Sequence, residues 1–188
     1  RTIDMILNMS SVQSGNYKPV FEKFDLLTDL KKLMNEFKSL SDDKGLELKF
    51  KQSADESFIV ADRYTVNQIF QNLINNAIKY TLKGYVEVFV RNENDNKVRV
   101  EIRDSGIGMS DEYLKKIFTP FSQEDVGYKR EFEGNGLGLA LVKKYVELNK
   151  AEIEVESEKS IGSVFSVTFD LSVNFEDESQ VKKYSNYQ

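Results

Sequence analysis

Between positions 62 and 81, "DRYTVNQIFQNLINNAIKYT" sets Val66, Ile69, Phe70, Leu73, Ile74 and Ala77 at i, i+3, i+4, i+7, i+8 and i+11. That is a continuous apolar stripe on one side of an α-helix, and it must be buried along its length. Downstream, "YVEVFVR" and "KVRVEIR" alternate with a period of two around the turn-forming "NENDN", which predicts a β-hairpin. A helix with one apolar stripe beside strands with one apolar face predicts a two-layer arrangement, helix on sheet.

The rest of the chain extends this pattern. Residues 1–15 place Ile3, Ile6, Leu7 and Ser10 on one helical stripe ending at Gly15, and the segment reads as the tail of a longer helix. An extended link through Pro19 leads to Asp25, which can cap a helix with the stripe Leu26, Leu30, Leu33, Met34, Phe37 and Leu40, stopping at Gly45. "LELKF" and "FIV" read as a pair of short strands before the Asp62 helix. "SDEYLKKIF" is a short helix with Ser110 as its cap and acids in its first turn. Polar residues 122–133 have no period, "GNGLGLALVKKYVEL" opens another helix, and "EIEVES" and "VFSVTFDL" form a second hairpin. The order predicts a two-layer α/β sandwich with one mixed, mainly antiparallel sheet covered on one face by helices. A doubly wound sheet would need strand and helix to alternate throughout.

Composition removes several chemistries. The 188 residues contain no histidine and no cysteine. Imidazole and thiolate metal ligands, disulfides and serine–histidine triads are therefore excluded. The net charge of −5, with both signs interspersed, argues against a nucleic-acid partner. Any chemistry must rest on carboxylates, amides, lysines, arginines and backbone groups.

Three features invite a functional reading. Beside the buried stripe, Gln68, Asn72 and Asn76 recur every four residues, with Lys79 following. Asparagine is a poor helix former, because its side chain competes for backbone hydrogen bonds. The row is either a solvated polar face or a set of neutral oxygens and one ammonium suited to Mg2+ and phosphate. Asp104 ends a strand and is followed by Gly106-Ile-Gly108. This is either a common turn or a carboxylate placed to accept a hydrogen bond from an exocyclic amine such as that of adenine. Gly134, Gly136 and Gly138 have the spacing G-x-G-x-G after a polar loop, which is neither the G-x-G-x-x-G dinucleotide fingerprint nor a P-loop. Free N–H groups at a helix start without obstructing Cβ atoms nevertheless suit phosphate.

Taken in order, these segments resemble the catalytic, ATP-binding domain of hybrid-type sensor histidine kinases, within the wider Bergerat-fold group shared with gyrase B and heat-shock chaperone ATPases. "NLINNAIKYT" is similar to the N-box, "DSGIGM" to the first glycine box, "IFTPFSQ" to the F-box and "GNGLGLALVKKYVEL" to the second glycine box. "GSVFSVTF" is similar to the glycine turn before the last strand, and "QEDVGYKREFEG" to the ATP lid. The resemblance divides the chain into 1–16, the end of the second dimerisation and phosphoacceptor helix; 17–24, a linker; 25–171, the catalytic domain; and 172–188, a polar tail or linker.

Carried over position by position, the resemblance implies Asn76 as a Mg2+ ligand and Asn72 as a second polar or metal contact. Lys79 and Tyr80 would meet the phosphates and the nucleotide. Asp104 would read the adenine amine, in a pocket shaped by Gly106 and Gly108. Arg130 would reach the γ-phosphate from the lid, which Gly134, Gly136 and Gly138 hinge beside Leu137, with Phe118 and Phe121 fixing its root. In the hydrolysing relatives a glutamate four residues before the metal asparagine activates water; here that position is Asn72, a very poor proton acceptor. The implied activity is histidine kinase phosphotransfer from ATP with slow hydrolysis. The acceptor would be a histidine on an upstream dimerisation domain, with relay to the aspartate of a response-regulator receiver. The implied setting is a homodimer of a longer protein, with this domain in the cytoplasm and inner-membrane anchorage of the whole left open. The alternatives are an ATP-driven conformational machine and a non-catalytic nucleotide-binding module. Two departures from the family pattern are expected to matter little for nucleotide chemistry. Asn149 stands where a His-Gly-Gly turn is frequent, and is expected to take a left-handed cap with some loss of stability. Thr65 stands where an arginine is common, and is expected to lose a surface contact.

Overall fold

The computed structural model describes residues 2–93, 96–124 and 135–172. Its elements are α1 (Thr2–Gln13), β1 (Phe21–Asp25), α2 (Leu26–Asp43), β2 (Glu47–Gln52), β3 (Phe58–Asp62), α3 (Arg63–Tyr80), β4 (Tyr85–Glu93), β5 (Lys97–Asp104), α4 (Asp111–Leu114), α5 (Gly138–Leu148), β6 (Glu152–Glu158) and β7 (Gly162–Asp170). Five strands form one sheet in the order β2-β4-β5-β7-β6. Only the β2–β4 pair is parallel; the other three neighbouring pairs are antiparallel. The predicted mixed, mainly antiparallel sheet with helices on one face is therefore the architecture.

The alternating strands explain the layering. Val86, Val88 and Val90 of β4 and Val98, Val100 and Ile102 of β5 point to the helices and are fully buried. Val66, Ile69, Phe70, Leu73 and Ile74 of α3 meet them, joined by Leu141, Val142 and Tyr145 of α5 and by Leu30 and Leu33 of α2. Each such side chain contributes about 1.5–3 kcal/mol on burial, so the predicted α3 stripe is a principal source of stability. The opposite face of the sheet carries ion pairs instead, among them Lys51–Glu87 at 2.7 Å and Arg99–Glu154 at 2.6 Å. The caps follow the sequence: the Asp25 carboxylate accepts from Leu27 N–H at 3.1 Å, and the Ser110 hydroxyl accepts from Tyr113 N–H at 3.3 Å.

Three expectations are corrected. "LELKF" and "FIV" do not pair with each other: β2 adds to β4, whereas β3 pairs antiparallel with β1 in a separate two-stranded sheet. The link after Pro19 thus contains a strand, β1, whose buried residues Phe21 and Phe24 do not alternate with a period of two. The α1 stripe, which so short a segment cannot bury alone, is exposed, with Ile3 at 71% and Leu7 at 61%, while the adjacent face packs inward through Met9 and Val12. In α2 the inward stripe runs from Leu26 to Phe37, and Leu40 is exposed.

The two departures also change meaning. Asn149 has φ −87°, not a left-handed conformation; the next residue, Lys150, takes φ 53°. Asn149 is buried, accepts from Asp62 N–H at 2.8 Å and donates to the Tyr145 carbonyl at 2.8 Å. Thr65 is buried rather than at the surface, and its hydroxyl donates to the Asp62 carbonyl at 3.0 Å.

Candidate nucleotide site

α3 runs between the two glycine segments and touches both. On its polar side Asn72 is buried, its amide donating to the Gln68 carbonyl at 2.8 Å. That back-bond to the preceding turn settles how an asparagine is held in mid-helix, and it leaves Oδ1 directed at the start of α5. A Cβ added to Gly138 would lie 3.4 Å from this oxygen. One turn on, Asn76 is half-buried, and no hydrogen bond reaches its side chain among the described residues. At the end of the helix the Lys79 ammonium lies 3.2 Å from the Tyr80 hydroxyl and 4.7 Å from the centre of its ring.

The C-terminal end of α3 meets the first glycine segment. Ile107 N–H donates to the Tyr80 carbonyl at 3.2 Å. Gly106 sits so close that a Cβ there would be 2.6 Å from the Tyr80 carbonyl oxygen and 2.8 Å from Asp104 Oδ1. Glycine is required here by a neighbouring backbone. Gly108 is likewise packed on the Glu158 carbonyl. Asp104 Oδ1 accepts from Gly106 N–H at 2.9 Å, and the nearby N–H and hydroxyl of Ser163 also favour the ionised carboxylate. Burial of the Asp104 carboxyl raises its pKa above the ordinary aspartate value, against the lowering effect of these donors. Ser163 faces Asp104 across the β5–β7 ladder, and its hydroxyl is 3.0 Å from that of Ser157. It lies in the quoted "GSVFSVTF" turn, so a hydroxyl directly after the turn glycine was the available signal for a residue that motif reading passed over.

The second glycine segment docks on the F-box backbone. Phe121 N–H donates to the Gly136 carbonyl at 2.9 Å, and a Cβ on Gly136, which has φ 66°, would be 2.7 Å from the Phe121 carbonyl carbon. Phe121 meets this segment through its main chain, and its ring is 71% exposed. Phe118 does pack against the core, with the Lys143 ammonium 5.9 Å from its ring centre. Leu137 is buried and precedes α5, whose first turn has no side-chain cap. Arg130 and Gly134 lie outside the described residues.

These positions set a half-buried carboxylate beside the C-terminal end of α3 and an uncapped helix start beside its middle. Chemically the first suits an amine donor and the second an anion. Among the described residues there is no cluster of three acidic, histidine or cysteine side chains that could hold a metal. No helix among them is long and apolar enough to cross a membrane.

Comparison with known proteins gives the same reading. The family described as histidine kinase-, DNA gyrase B-, and HSP90-like ATPase matches residues 61–173. The autoinducer 2 sensor kinase/phosphatase LuxQ of Vibrio parahaemolyticus is 35% identical over 169 residues, covering 87% of this chain and 20% of the relative. Histidine protein kinase 1 of Candida albicans is 36% identical over 171 residues, covering 88% of this chain and 7% of the relative. The chain thus spans a fifth or less of the length of these curated relatives. Among solved structures, full-length ShkA in complex with AMPPNP superposes with a TM-score of 0.79 at 24% identity, covering 89% of this chain and 34% of that one. The chain belongs to the family of histidine kinase-, DNA gyrase B- and HSP90-like ATPases, in which it is an ATP-binding domain of the sensor histidine kinase type.

Proposed function

We propose that this domain binds Mg-ATP along α3, between Asp104 and the start of α5, and delivers the γ-phosphoryl group to a histidine on a dimerisation segment outside this sequence, for relay to a receiver aspartate. The observation that carries this reading is the geometry around Asn72. The residue that would have to activate water is a neutral amide that donates one of its two N–H groups to the Gln68 carbonyl and whose oxygen faces the start of α5. An amide there can orient a polar group but cannot take a proton, so ATP is held with little hydrolysis and kept for another nucleophile.

In this account Asp104 accepts the adenine amine hydrogen, and the Gly106 N–H keeps its carboxylate aimed. Gly108 shapes the same pocket. The first turn of α5, from Leu137 and Gly138, offers N–H groups to phosphate oxygens, and Lys79 and Tyr80 line the nucleotide from α3. Asn76 fits a hard cation, since its half-buried amide lacks an internal partner among the described residues, and Asn72 Oδ1 is a second oxygen on the same helix side. Mg2+ held there would neutralise charge on the phosphates. Arg130 is assigned to the γ-phosphate, with Gly134 and Gly136 hinging the lid. The exposed Ile3, Ile6 and Leu7 of α1 support a helical partner for this segment, which the reading identifies as the dimerisation domain of a homodimer.

Incubation with γ-labelled ATP and a separately supplied histidine-bearing dimerisation segment tests the proposal. The label should appear on that segment while phosphate release by the chain alone stays slow. Rapid steady-state hydrolysis without transfer would instead favour a conformational ATPase.

A further inference from the structure

The last turn of α3 is held by a lysine from another element. Helix ends leave four carbonyls without helical partners, and each needs a donor. Here Ala77 O accepts from the N–H and hydroxyl of Thr81, at 3.1 and 2.7 Å. Tyr80 O accepts from Ile107 N–H. The carbonyls of Ile78, Lys79 and Thr81 all accept from one group, the ammonium of Lys44, at 2.6, 3.0 and 3.2 Å. An ammonium has three donors, so Lys44 is saturated by main-chain oxygens. Among the described residues no carboxylate pairs with it.

Lys44 stands on a short, well-tied turn. It follows α2 directly, Gly45 N–H donates to Asp42 O at 2.9 Å, and Leu46 N–H donates to Ser41 O at 2.9 Å. Its partial desolvation lowers the ammonium pKa somewhat, as expected for a charge facing dipoles rather than an acid. The positive charge lies against the negative end of the α3 dipole, its favourable location.

We infer that Lys44 is a positioning residue for the base end of the nucleotide site. By fixing residues 78–81 it holds the Tyr80 carbonyl against Ile107 N–H and the Thr81 hydroxyl beside Gly106, which together set where the Asp104 pocket opens. The inference rests on the reading of Asp104 and Gly106 as the adenine pocket.

Lys44→Met keeps the aliphatic stem and removes the three donors, whereas Lys44→Arg keeps donors and charge. Titrations of ATP and of inorganic triphosphate, each with Mg2+, are compared in both variants at a temperature where all are folded. Lys44→Met should weaken ATP about tenfold, the effect of losing roughly one hydrogen bond's worth of positioning. Triphosphate should change less than about twofold, and Lys44→Arg should restore most of the ATP affinity. Unchanged ATP binding, equal losses for both ligands, or an arginine variant as weak as the methionine one would overturn the inference. Amide hydrogen exchange without nucleotide supplies an independent arm. Exchange at Thr81 and Ile107 should accelerate in Lys44→Met while Val100 stays protected; if Lys44→Met does not fold, Lys44→Gln takes its place. Unaltered exchange at Thr81 and Ile107 contradicts the positioning role. Failure of the wild-type chain to bind ATP would instead strike the adenine reading, which the exchange arm does not use.

Discussion

The side-chain amide of Asn149 donates a 2.8 Å hydrogen bond to the hydroxyl of Thr65, tying the end of α5 to the first turn of α3. The same Asn149 accepts from Asp62 N–H, and the Asp62 carboxylate caps α3 through Thr65 N–H at 2.8 Å. Tyr17 donates its hydroxyl to that carboxylate at 3.1 Å, and Val20 donates its N–H at 2.7 Å. α3, α5 and the segment entering β1 therefore share one polar junction around the buried Asp62, Thr65 and Asn149. The two positions that depart from the family pattern are halves of one contact.

Breaking this junction should cost stability. Asn149→Ala leaves the Asp62 N–H and the Thr65 hydroxyl with a partner removed in a buried site, a loss of about 2–3 kcal/mol. Urea unfolding should show a lower midpoint with an unchanged slope. A change under about 0.5 kcal/mol would mean that water or repacking replaces the amide.

Asp104→Asn should weaken ATP by roughly 10–100-fold, the range for a hydrogen bond to a charged group, and leave inorganic triphosphate nearly unaffected. Calorimetry with both ligands checks this; equal losses would contradict a base-reading carboxylate.

The raised pKa of Asp104 also predicts two opposite pH dependences. Because burial makes the folded carboxyl easier to protonate than the unfolded one, its contribution to stability is present in full below the unfolded pKa. That contribution is lost as pH rises through the folded pKa. ATP affinity runs the other way, since the ionised form accepts the amine hydrogen. It should fall on acidification sooner than an ordinary aspartate would allow, and Asp104→Asn should flatten that decline. Titrations at stepped pH, with inorganic triphosphate as the control for phosphate protonation, read the difference.

Asn76→Asp should alter the Mg2+ dependence of ATP binding and depress phosphotransfer, with unfolding stability within about 0.5 kcal/mol of wild type. Normal transfer to a supplied histidine-bearing segment would remove Asn76 from the metal assignment.

What could be read without coordinates was what is local. The α3 stripe, the Asp25 and Ser110 caps and the two hairpins follow from periodicity and short-range chemistry. β1 escaped because "FEKFD" buries its first and fourth residues, a spacing no strand template matches. The partner of β2 escaped because a parallel neighbour lies beyond an intervening strand and helix, so no turn records it. Asn149 was readable only as a helix end, since its partners Asp62 and Thr65 are 87 and 84 residues away. Around the glycine segments the motifs were quoted from the sequence, but the contacts that their residues make were not legible there. Gly106 and Gly136 are needed by neighbouring main chain, and Phe121 acts through its N–H.

Calorimetric titration of Mg-ATP into the 188-residue chain tests the central claim most directly. The account predicts saturable binding at one site per chain, weakened by Asp104→Asn and accompanied by slow hydrolysis. Absence of binding in the wild-type chain, or binding indifferent to Asp104, would contradict it.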